Sequence, residues 1–74
     1  MELEYTGFTD RKGKRIYHNS LVRNDRGNIF VVKSDPDLSY VIVEVFEKTI
    51  EYLSIELCLD LTLIIQDVRD MRFL

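Results

Sequence analysis

The chain has 74 residues, a formal net charge of −3, one histidine and one cysteine. Its length makes a single domain, spanning 1–74, with a core worth only about 3–5 kcal/mol unless a metal, a disulfide or a partner adds to it. Residues 1–37 carry seven Lys/Arg against six Asp/Glu and residues 38–74 carry three against seven, a balance that argues against broad, non-specific binding to nucleic acid.

Apolar and polar residues alternate with a period of two over most of the chain, which favours strands. Residues 3–9 and 15–18 form a hairpin around Asp10–Lys14, with Gly13 supplying a positive φ at the turn. A short strand at 20–24 leads into Asn24-Asp25-Arg26-Gly27-Asn28, residue types that tolerate left-handed backbone, and the chain returns as a strand at 29–33. Ser34-Asp35-Pro36-Asp37 breaks the pairing, because Pro36 lacks an amide donor.

Tyr40 to Phe46 is the strongest strand: Val41, Val43 and Val45 face one way, Tyr40, Ile42 and Phe46 the other. A strand apolar on both faces needs two covering layers, the second supplied by the C-terminal segment or another subunit. Glu47-Lys48 turns into 49–53. Leu53, Ile55, Leu57, Leu59, Leu61, Leu63 and Ile65 then occupy every odd position, a strand-like alternation. A strand of that length would be unusual, so one helical turn capped by Ser54 is expected, with a final strand at 61–66. The fold expected is all-β with minor α: a small antiparallel SH3-like barrel or strongly curved sheet with at most one short helix.

The order Tyr5-Thr6-Gly7, Asp10, Gly13-Lys14, Ile16-Tyr17, Val22 and Gly27 before an apolar strand resembles the YopX family of small phage and prophage proteins. That family's usual pattern is a Tyr-Thr-Gly-Leu start, an Asp-x-x-Gly-Lys turn and an Ile-Tyr-x-Gly-Asp sequel. The similarity is specific over 5–32 and weaker over 38–64. Here Asn19-Ser20 stands where the family has Gly-Asp, and Ile64-Ile65-Gln66-Asp67-Val68 replaces an Ile-Gly-Asn-Ile-Tyr run. The resemblance implies a phage-derived, mostly β protein with no enzymatic site to carry over.

Candidate chemistry is sparse. Arg11-Lys12-Gly13-Lys14-Arg15 puts four cations at the hairpin tip, with Arg23 and Arg26 in position to extend them and Tyr5, Phe8 and Tyr17 as stacking faces. The competing reading is a solvated turn that keeps an edge hairpin soluble. His18 has no second histidine or cysteine cluster for a metal. Cys58 lies between Leu57 and Leu59, the setting of a small buried hydrophobe. Glu44, Glu47, Glu51, Glu56 and Asp60 read as a solvent face, and Asp35-Pro36-Asp37 as a turn. No catalytic, cofactor or metal site is expected.

Ile29, Val31, Tyr40, Ile42 and Phe46, with the terminal Phe73-Leu74, offer more apolar surface than so small a barrel hides. Tyr40, Ile42, Phe46, Phe73 and Leu74 are therefore the expected self-association residues, in a two-fold dimer at its simplest. The acidic start lacks the features of a leader, apolar runs fall short of the roughly 20 residues of a membrane span, and a lone cysteine suits a reducing cytosol. The function expected is non-enzymatic binding of a host or phage protein in the host cytosol, with inhibition of a host antiviral defence as one form. The alternative is a small nucleic-acid-binding module using Arg11, Lys12, Lys14, Arg15, Arg23 and Arg26.

Overall fold

The computed structural model describes residues 3–37 and 39–70. Among the described residues seven strands run in chain order: β1 (Tyr5–Thr9), β2 (Arg15–Tyr17), β3 (Leu21–Arg23), β4 (Ile29–Ser34), β5 (Tyr40–Glu44), β6 (Ile50–Tyr52) and β7 (Thr62–Ile65). One short helix, α1 (Ile55–Cys58), separates β6 from β7. β1 and β2 form a hairpin of their own, and the other strands form an antiparallel sheet in the order β6-β5-β4-β3-β7. This is the all-β fold with minor α expected from the alternation, in its open-sheet form and not as a closed barrel.

Each turn follows its residues. Gly13 (φ 82°) and Gly27 (φ 86°) take the left-handed conformations that their turns need. Asn24 secures the second turn, its Oδ1 accepting hydrogen bonds from the amides of Arg26 and Asn28. Asn19 is also left-handed, at φ 74°, so the asparagine does there what a glycine would. Gly7 (φ 89°) lies where the β1–β2 register shifts. Beside it Thr6 Oγ1 donates to the Ile16 carbonyl and accepts from the Phe8 amide. Ser54 caps α1 by accepting from the Leu57 amide, the helical turn expected at this place.

Ile16, Val22, Phe30, Val32, Ile42, Leu53, Cys58 and Leu61 form the core, with Phe8, Tyr40, Leu57 and Leu63 packed against it. β1–β2 and α1 thus cover one face of the large sheet. Three expectations need correction. The strand from Tyr40 ends at Glu44, because Val45–Glu47 already turn. Glu44 is buried and not on a solvent face: its Oε1 accepts from the Phe46 and Glu47 amides and closes that turn. Ile42 is fully buried, on the core face of β5, and so is no self-association residue.

Candidate interaction surfaces

The basic hairpin does not present one patch. Asp10, buried at the foot of the tip, organises it: Oδ1 accepts from the Lys12 and Lys14 amides, and Oδ2 from the Leu63 amide. The Arg11 amide donates to the Leu61 carbonyl, fixing the tip against the start of β7. From that base the cations diverge. Arg11 pairs with Asp25 at 2.5 Å, both side chains half exposed. It shares a depression of about 320 Å³ with Arg23, Asn24, Arg26 and Thr62. Arg15 instead lies over the Tyr5 ring, 5.0 Å from its centroid, with Tyr17 tilted against Tyr5 at 5.8 Å. Lys14 and Arg15 border a separate hollow with Tyr17, Leu63 and Gln66. Lys12 is exposed. Phe8 packs on the core and is no stacking platform beside the tip.

His18 and Cys58 are not brought together. His18 lines a hollow with Leu3, Glu4 and Arg69. Cys58 is buried beside Phe8, Asp10 and Ile55, where burial and the nearby Asp10 charge push its thiol up to about 11. A thiol so hard to ionise is a poor nucleophile at neutral pH. Among the described residues no group of three or more His, Cys, Asp or Glu is placed to hold a metal ion.

The buried polar residues are engaged in structure. Asp67 is paired with the Arg69 guanidinium and bonded to the Arg69 amide; that pairing outweighs burial and holds its carboxyl down to about 2. Burial opposes the charge on Asp10 as well, but the amides of Leu63, Lys14 and Lys12 outweigh it and lower its pKa. Ser20 Oγ accepts from the Tyr17 amide and donates to the Gln66 carbonyl. The Tyr40 hydroxyl donates to Glu4, and this bond, with burial, raises its pKa. Among the described residues no buried side-chain nitrogen or oxygen lacks a partner. Sequence reading missed the burial of Asp10, Asn19, Ser20, Glu44 and Asp67; for all but Glu44 the signal was a short polar side chain at the border of a turn.

The outer face of the large sheet carries the feature that the hairpin lacks. The strand register places Ile65 opposite Leu21, Leu21 opposite Val31, Val31 opposite Val43, and Val43 opposite Ile50. This apolar row crosses all five strands on the side away from the core. Leu21, Val31, Val43 and Ile65 are half-buried, and Ile50 is 65% exposed. Beside the row, Val41 lies between Lys33 and Tyr52, which account for its burial. Phe46, at the adjoining turn, is 81% exposed. Of the other expected self-association residues, Tyr40 is half-buried on the core side, and Phe73 and Leu74 lie outside the described residues.

Sequence comparison agrees with the pattern of turns. The family model described as YopX protein matches residues 2–72. The chain belongs to the YopX family. No curated protein matches it. In this YopX protein the Asp-x-x-Gly-Lys element has a structural reason: Asp10 receives the Lys12 and Lys14 amides while Gly13 takes the positive φ that closes the turn. No described helix is long and apolar enough to cross a membrane.

Proposed function

We propose that this YopX protein is a phage- or prophage-encoded, non-enzymatic interaction module that binds a host or phage protein in the bacterial cytosol. Inhibition of a host antiviral activity is the specific form the lineage favours. The observation that carries the reading is the Ile65–Leu21–Val31–Val43–Ile50 row. A contiguous apolar row on an open sheet face, ending in the exposed Ile50, supports a docking role, and the buried polar groups are spent on holding turns. Self-association over the same face, at its simplest a two-fold dimer, belongs to the proposal; light scattering that gives a clean 8.8 kDa species at high micromolar concentration rejects that part.

The test is affinity capture from a host lysate with tagged wild type and the Val43→Glu variant, with folding of both checked by circular dichroism. A defined protein retained by wild type and lost with the variant supports the reading. Identical capture by both overturns it. The second reading, nucleic-acid binding, draws on the three arginines around one depression. It requires a complex that weakens with salt, with a log–log slope of about −0.7 to −0.9 per phosphate contacted. Loss of affinity in Arg23→Glu would support it, and no mobility shift with DNA or RNA at low salt removes it.

A further inference from the structure

The two edges of the large sheet are treated differently. At β7 the hairpin tip covers the edge: the Leu63 amide donates to Asp10, and the Leu61 carbonyl accepts from the Arg11 amide. At β6 no described residue pairs with the far side. The Glu44 amide donates to the Thr49 carbonyl, and the Leu53 amide to the Tyr40 carbonyl, so residues 49, 51 and 53 turn their backbone groups toward β5. By the alternation of an antiparallel ladder, Ile50 and Tyr52 turn both N–H and C=O toward the open edge. Edge strands are commonly protected by lysine, proline or a bulge. Ile50-Glu51-Tyr52 is three residues long and carries one charge, Glu51, but no lysine or proline, and its register with β5 is regular.

Charge decides what fits there. A second copy that pairs antiparallel along all three residues of β6 would set Ile50 against Tyr52 and place Glu51 directly opposite Glu51 of the copy, a like-charge pair that opposes association. The segment around it is acidic too: between residues 47 and 60 Glu47, Glu51, Glu56 and Asp60 stand against Lys48, and in the hollow that Glu51 borders, Asp25 and Asp60 outnumber Arg26. We infer that β6 accepts an extended strand of another protein, in which apolar residues meet Ile50 and Tyr52 on the outer face and a lysine or arginine lies opposite Glu51. This inference rests on the interaction-module reading and names the partner's chemistry. Strand addition of this kind takes affinity from main-chain hydrogen bonds and selectivity from alternate side chains. Stacking of two outer faces is a separate contact and leaves this edge free.

The experiment is an NMR titration of the full chain with two terminally blocked peptides, one alternating valine with lysine and the other valine with glutamate. The expected result is shifts at the Glu51 and Tyr52 amides, with the lysine peptide preferred by about fivefold or more, the size that cross-strand charge pairs support. Ile50→Pro removes an edge donor without touching the β5 ladder and should abolish these shifts. Glu51→Lys should reverse the preference between the peptides. Equal response to both peptides or no response at β6 overturns the inference. Shifts confined to Val31 and Val43 overturn edge pairing but leave the interaction-module reading standing, whereas identical lysate capture by Val43→Glu overturns that reading itself.

Discussion

The Asp10 carboxylate accepts the Leu63 amide at 2.8 Å and so ties the tip of the first hairpin to the last strand. Its other oxygen holds the amides of Lys12 and Lys14. A residue at the turn of a hairpin is ordinarily replaceable, but this one satisfies three backbone donors. Asp10→Ala strands the half-buried Leu63 amide and frees the turn. The expected loss is about 2–4 kcal/mol, most of the stability of so small a core, read as a lower urea midpoint by circular dichroism. An unchanged midpoint would mean that the tip is held by other contacts.

Acid should unfold the domain through the same group and Asp67. Both carboxyls titrate lower in the fold than the ordinary aspartate value, Asp67 at about 2. Both are ionised in either state at neutral pH, so their contribution is complete above about pH 5. As pH falls below that, the unfolded chain takes up protons first, and the contribution shrinks until the folded carboxyls protonate in turn, Asp67 at about 2. Urea midpoints should be flat from pH 7 to about pH 5 and decline between about pH 4 and pH 2. Asp67→Asn should make that decline shallower. A wild-type midpoint that holds constant down to pH 3 would contradict the assignment.

Cys58 should be unreactive in the folded protein. It is 5% exposed, and its thiol is held mostly protonated at neutral pH by burial and by Asp10. Reaction with a thiol-specific disulfide reagent at pH 8 should be slow in buffer and fast in urea, where the thiol regains its ordinary pKa of about 8.5. Cys58→Ala should retain partner capture, because the side chain is a core filler. Equal labelling rates with and without urea would place the thiol at the surface.

The strands and turns were legible because their causes are local. Period-two alternation marks a sheet, Gly13 and Gly27 mark left-handed positions, and Ser54 marks a helix start. What was not legible depends on long-range register. A strand such as β5, apolar on both sides, gives no sign of which side meets the core, so Ile42 was assigned to a surface when Val43 and its cross-strand neighbours form it. The acidic residues show the same limit. Glu44 reads like Glu47 and Glu51, and it is buried only because the Phe46 and Glu47 amides turn back onto it. The basic tip read as one patch because its residues are nearly consecutive, yet Arg11 lies in the turn and goes to Asp25, whereas Arg15 opens β2 and lies over Tyr5.

Asn19 tests whether a turn tolerates this chain's departure from the family glycine. Its φ of 74° is costly for most side chains, by about 1–2 kcal/mol. Its backbone is committed on both sides, the amide donating to the Val32 carbonyl and the carbonyl accepting from the Val68 amide, so the turn cannot relax without loosening β4 and the segment after β7. The side chain accepts from Lys33 Nζ at 2.8 Å, a contact of small value where the lysine is exposed. Asn19→Gly should therefore fall within about 0.5 kcal/mol of wild type, since the lost contact is offset by relieved strain. Asn19→Val should lose about 1–2 kcal/mol from the left-handed backbone of a β-branched residue. Thermal melts of the pair separate the two contributions: equal destabilisation by both would assign the turn to the lysine contact, and a deficit confined to valine assigns it to the backbone.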